Sequence, residues 1–153
     1  MSELIDASHV FLGCAASTVD EVLLLVAQKA VLLGVASDVD ALFDALKARE
    51  LQGTTGLVGG FAIPHARCAA VREPSLIVLS FDEGIEWHSM DNVPVNCAIA
   101  LLAPLEQPSS EHLALLSRLA VMLMSEDLRK DINANPSPEY IAEVIGKGME
   151  ASR

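Results

Sequence analysis

The sequence predicts an α/β fold. A mixed, mostly parallel β-sheet is flanked by α-helices on both faces, in a single domain over residues 1–153. Three observations predict it. Capped, helix-like segments lead and close the chain, and runs rich in Ile, Val and Leu lie between them. The run Val95–Leu102 is apolar at all but one position, as a central strand buried on both faces must be. The chain is 52% hydrophobic and carries no repeat, linker or low-complexity tract. At this length one unit can bury roughly 68–70% of its unfolded surface.

The elements follow in order. Thr18-Val19-Asp20-Glu21 fits a capping box and predicts a helix to about Leu33, closed by Gly34. Ser37-Asp38-Val39-Asp40 opens a second helix to about Glu50, with Leu42, Phe43, Ala45 and Leu46 on its apolar side. Gly53 to Gly60 is a Gly/Thr-rich turn leading into a strand over Phe61–Ile63, with His65 at the strand end beyond Pro64. Leu76–Phe81 and Val95–Leu102 are strands. Glu83–Trp87 and Met90–Val95 read as loop between them. Pro104 to Pro108 leads to a long helix, capped by Ser109 or Ser110 and running to about Ser125. Its apolar stripe is Leu113, Leu116, Leu119, Ala120 and Leu123. A short helix follows over Glu126–Ile132. Ser137 caps the last one, with Pro138 at its first position.

Composition excludes several classes. A net charge of −11 argues against nucleic acid as a partner. No apolar run reaches the ~18 residues of a membrane span, which argues against direct membrane insertion. The first residues lack the basic region of a secretory signal, so the expectation is a soluble, cytoplasmic protein. Cys14, Cys68 and Cys97 are odd in number and scattered, which suits a reducing compartment.

The chemistry centres on Gly60-Phe61-Ala62-Ile63-Pro64-His65. Pro64 stiffens the backbone before the imidazole, and Arg67 lies two residues beyond it. A histidine so held suits attack on phosphorus or a proton relay; the plainer reading is a core histidine at a corner. Arg49 ends the second helix just before the turn. Thr54 and Thr55 offer hydroxyls, and the neighbouring glycines let backbone N–H groups approach an anion. Read alone, Arg49 is equally a surface residue and the turn only a turn. His112 falls in the first turn of the long helix, on one stripe with Leu116, Leu119 and Leu123, where an anion is favoured; a backbone-satisfied cap-region histidine is the alternative. Leu57, Val58, Phe61 and the single tryptophan, Trp87, are candidates for an apolar docking rim, or else core. His65, Cys68, His88 and His112 show no recognised metal-ligand spacing, so no metal and no cofactor is expected.

Taken together, Ala48-Arg49-Glu50, Gly53-Thr54-Thr55-Gly56-Leu57, Ala62-Ile63-Pro64-His65, Gly84-Ile85-Glu86-Trp87, Asp91-Asn92-Val93-Pro94-Val95 and His112-Leu113-Ala114-Leu115-Leu116 resemble the IIA components of the phosphotransferase system, of the fructose/mannitol type. The resemblance runs from about Val10 to Ile145, with the motifs in family order. It departs at Val58 and Ala66, where the family usually carries glycine.

The resemblance implies a phosphotransferase with a phosphohistidine intermediate on His65. It implies that His112 and Arg49 are site partners, with Thr55 and Thr54 helping to hold the phosphoryl group. Arg67 would act in docking. The implied donor is a histidine-phosphorylated HPr-like carrier protein and the implied acceptor a IIB component of a sugar or polyol permease. Gly84-Ile85-Glu86-Trp87 is closer to fructose-type sequences than to the nitrogen-regulatory branch. That branch, in which phosphorylation gates binding to regulatory partners, is the alternative. A metal- or anion-binding domain outside the system is the remote one.

Overall fold

A computed structural model describes residues 4–151. A short 3-10 turn at Ala7–His9 leads into β1 (Val10–Cys14), a strand the sequence reading did not include. Only five residues long and broken by Gly13 at φ 65°, β1 offers too little period-2 pattern to be legible. Its pairing partner lies more than sixty residues away in β4.

Helix α1 (Val19–Leu32) begins as expected. Thr18 Oγ1 accepts from the Glu21 N–H at 3.1 Å, and the Glu21 carboxylate reaches back to the Ser17 N–H at 2.8 Å. Gly34 takes a left-handed φ of 78° just past the end. Helix α2 (Val39–Gln52) is capped by Asp38, which accepts from the Ala41 N–H.

The expected strand over Phe61–Ile63 is shorter, and a second strand that was not expected follows it. β2 is Phe61–Ala62 and β3 is His65–Cys68, so His65 opens a strand instead of ending one. The division has a plain cause: Pro64 has no N–H, and the Ile63 N–H is turned away to the Thr55 carbonyl at 3.0 Å. β4 (Ser75–Ile85) runs four residues beyond the expected end, because Asp82, Glu83 and Gly84 are extended despite their polarity. β5 (Val95–Pro104) is the central strand, buried at nearly every position.

The sheet order is β1-β4-β5-β2, with β3 also on β5. β1 on β4 and β2 and β3 on β5 are parallel; β4 on β5 is antiparallel, with Leu76 opposite Leu101 and Val78 opposite Ile99. Alternate residues feed two cores. Ile77, Leu79, Ala98, Ala100 and Leu102 pack under α1 and α2. Leu76, Val78, Cys97, Ile99 and Leu101 pack under α3 (Ser109–Leu123), α4 (Glu126–Ala134) and α5 (Pro138–Ala151). This is the mixed, mostly parallel sheet between helical layers that the sequence predicts.

Helix α3 differs from expectation at both ends. Pro108 occupies the N-cap position and no side chain caps the helix; its carbonyl accepts from the Glu111 and His112 N–H groups. The helix stops at Leu123 because Ser125 caps α4, its hydroxyl accepting from the Leu128 N–H at 3.2 Å. Leu113 leaves the expected stripe: it is 61% exposed, while Leu119 and Leu123 are fully buried. Residues 112, 116, 119 and 123 share a face, and Leu113 lies about 100° away from it. Among the described residues no helix is long and apolar enough to cross a membrane.

Candidate active site

β3 lies at the sheet edge, where both helical layers can reach it. His65 is its first residue, paired with Leu101 of β5. Arg49 comes from the last turn of α2 on one side, and His112 from the first turn of α3 on the other. These three, with Ala45, Gln52 and Leu105, line an open depression of about 430 Å³.

Hydrogen bonds determine the state of His65. Its Nδ1 lies 2.8 Å from the Ile63 carbonyl, so Nδ1 carries the proton and donates. Its Nε2 accepts from the Arg49 Nε–H at 3.0 Å. The free lone pair of the ring is therefore on Nε2, aimed toward the guanidinium. Burial pushes the His65 pKa below the ordinary imidazole value and the Arg49 charge adds to this, against the Ile63 carbonyl and the Glu50 carboxylate. The lowered pKa keeps the ring neutral at neutral pH.

The His112 ring centroid stands 5.9 Å from that of His65. Its Nδ1 is buried and meets no hydrogen-bond partner among the described residues. Burial first, then the neighbouring His65 and Arg67, lower its pKa. A buried polar nitrogen left without a partner beside a neutral imidazole is free to serve an incoming group. Arg67 also lines the depression, with its Nη1 donating to the Gln107 carbonyl at 2.9 Å. Two arginines thus face two neutral histidines in a chain of net charge −11.

Other candidates lie elsewhere. Thr54 donates its hydroxyl to the His88 carbonyl, and Thr55 donates its own to Glu50 Oε1 at 2.6 Å. Both hydroxyls are committed to holding the turn, and neither lines the depression. Phe61 is fully buried and Trp87 is 4% exposed, so these two are core. Leu57 and Val58 are half-buried, away from the depression. The apolar rim is instead formed by Leu105, 55% exposed, in the connection after β5. The sequence signal for it was slight: one leucine between Pro104 and Glu106 in a connection read only as a link. Among the described residues no three of His, Cys, Asp and Glu gather where they could hold a metal ion.

A buried neutral histidine with a protonated Nδ1, an arginine on its Nε2 and a second histidine alongside meet at the edge of a helix-flanked sheet, an arrangement suited to group transfer. The chain belongs to the EIIA 2 family of the phosphoenolpyruvate-dependent sugar phosphotransferase system, whose model matches residues 3–148. Two branches of relatives stand near it. It is 35% identical over 108 residues to a nitrogen regulatory protein of Pseudomonas aeruginosa, covering 71% of this chain and 70% of that one. It is also 35% identical over 117 residues to a fructose-specific EIIA component of Haloferax volcanii, covering 76% and 75%. Among solved structures, the nitrogen regulatory protein IIA-Ntr of Neisseria meningitidis superimposes with a TM-score of 0.85 at 27% identity, covering 94% of this chain and 97% of that one.

Proposed function

We propose that this protein is a phosphocarrier that takes a phosphoryl group onto His65 Nε2 from a histidine-phosphorylated, HPr-like protein and hands it to a IIB component in sugar or polyol uptake. The observation that carries the reading is the pair of hydrogen bonds on His65, one to each ring nitrogen.

The bonds account for a reversible step. The P–N bond to the donor's histidine breaks as the bond to Nε2 forms. Charge spreads over the three phosphoryl oxygens in transit. Arg49 turns from the lone pair it holds to those oxygens, and the idle nitrogen of His112 and the Arg67 guanidinium lie beside them. The proton stays on Nδ1 throughout, donated to the Ile63 carbonyl. On the return step the ring therefore leaves as neutral imidazole, and no proton has to be found or discarded. The family and the fructose-specific relative support the transport setting.

The second reading is a regulatory IIA, whose phosphorylation state gates its binding to other proteins. It is favoured by the superposition on IIA-Ntr over nearly the whole chain. One experiment addresses both readings. The protein is phosphorylated by an HPr-like carrier and then offered IIB domains of fructose and mannitol type. Acceptance followed by rapid transfer to a IIB domain supports transport. Acceptance with no onward transfer favours the regulatory reading, and no acceptance refutes both.

A further inference from the structure

We propose that Glu50 is a positioning residue for transfer at His65: its carboxylate clamps the Thr54–Gly56 turn and the Trp87 loop onto the end of α2, and so holds both hydrogen bonds of the reacting ring. This rests on the reading of His65 as the phosphoryl acceptor.

Three donors converge on this carboxylate. Oε2 accepts from the Thr55 backbone N–H at 2.9 Å and from the Trp87 indole N–H at 3.1 Å; Oε1 accepts from the Thr55 hydroxyl at 2.6 Å. Thr55 and Trp87 are both 4% exposed, so these charge-assisted bonds are sheltered from water. The Trp87 bond joins segments 37 residues apart in the chain.

The clamped turn reaches His65 by two routes. The Thr55 carbonyl accepts from the Ile63 N–H at 3.0 Å, and the Ile63 carbonyl holds His65 Nδ1. On the other side the Gly53 carbonyl accepts from Arg49 Nη1 at 2.8 Å, while Arg49 Nε bonds His65 Nε2. The geometry of both ring nitrogens thus descends from the turn that Glu50 fixes. A bare carboxylate here would repel a phosphoryl group. With three donors on it, Glu50 spends its charge on the clamp.

Glutamine can keep the clamp without the charge. Its oxygen accepts from Thr55 N–H and Trp87, and the Thr55 hydroxyl turns to accept from its amide. Leucine keeps the approximate volume and accepts nothing. In transfer from a phosphorylated HPr-like carrier, Glu50→Leu is expected to lower kcat about 100-fold with KM nearly unchanged, as misplacement of a reacting group does. Glu50→Gln should recover most of the rate. In an Arg49→Lys background Glu50→Leu should cost clearly less than it does alone, because one of its two routes to the ring runs through Arg49. A purely stabilising role would multiply through.

A second readout needs no transfer: the ring nitrogens of His65, followed by ¹⁵N NMR in the unphosphorylated protein. Glu50→Leu should shift the Nε2 resonance and Glu50→Gln should not. Unmoved resonances in folded Glu50→Leu, or fully multiplicative kinetics, overturn the proposal. If the wild type accepts no phosphoryl group while the resonances move as expected, the carrier reading falls and the clamp stands. Should Glu50→Leu not fold, Thr55→Val and Trp87→Phe each remove one donor. Wild-type rates and spectra in both would also overturn it.

Discussion

Arg49 and His65 meet nitrogen to nitrogen, the Nε–H of the arginine on the Nε2 of the imidazole at 3.0 Å, with the same guanidinium anchored through Nη1 on the Gly53 carbonyl. On the proposed function, the arginine marks the lone pair that takes the phosphoryl group. It can swing to phosphoryl oxygens without leaving its anchor, because a guanidinium has five N–H donors in a planar fork.

A lysine at position 49 keeps the charge and loses the fork. Arg49→Lys is expected to slow phosphoryl acceptance by about 100-fold, the scale of losing an oriented donor to transition-state charge. Arg67→Ala should cost far less and act through docking, since Arg67 is tied to the Gln107 carbonyl and makes no bond to His65. Transfer rates for both variants at low and high salt check this. A crippled Arg67→Ala beside a normal Arg49→Lys would refute this picture of the site.

Replacing His65 by alanine should abolish acid-labile, base-stable phosphate while the sheet remains intact, because β3 is held by backbone pairing to β5. In the wild type the phosphoryl group belongs on Nε2, since Nδ1 is occupied by its proton and the Ile63 carbonyl. ³¹P–¹⁵N correlation on the phosphorylated protein distinguishes the two nitrogens. Phosphate on Nδ1 would contradict the assigned tautomer.

His112→Ala should still accept phosphate at His65. The variant loses a donor beside the transferring oxygens, and onward transfer is expected to slow by about 3 kcal/mol of barrier, in line with oxyanion donors. Single-turnover kinetics separate acceptance from release. Phosphate on His112 with His65 unmodified would reverse the two roles.

Both histidines have pKa values lowered from 6.5 in the folded protein, chiefly by burial. Acceptance should therefore persist below the pH at which a free imidazole is half protonated. For stability, a base with a lowered folded pKa leaves the unfolded chain binding more protons as the pH drops. Stability is full above about pH 6.5 and declines as pH falls through the lower, folded values. Melting temperature and transfer rate between about pH 5 and 8 test both statements. The decline should be shallower in His65→Ala. A rate midpoint at or above 6.5 would contradict the burial argument.

The layers, and the residues Arg49, His65 and His112 that meet in the depression, were legible in the sequence because each had a local cause. Thr18, Asp38, Ser125 and Ser137 are hydroxyl or carboxylate residues at helix starts, and each caps as its type requires, although Ser125 had been read as a helix end. The apolar run of β5 could only be central. What failed had non-local causes. β1 exists because β4 offers it an edge. Thr55 and Trp87 read as site and rim residues, but Glu50 claims both, and nothing in sequence spacing reports that a carboxylate on α2 will meet an indole beyond β4. Leu105 joins the depression only because β5 pairs with β3 to its last residue, Pro104, and delivers the next one there.

The proton on His65 is held by a peptide carbonyl, that of Ile63, and a carbonyl belongs to every residue alike. No single base change in a gene can delete it. Drift at position 63 can exchange one side chain for another while the acceptor stays in place, so selection has little to guard there beyond the path of the main chain. That path rests on Pro64, whose ring limits the conformations open to the residue before it. The heritable weak point of the tautomer is thus a residue that touches neither ring nitrogen. Substitutions at Pro64 are expected to damage transfer more than substitutions at Ile63 of similar size.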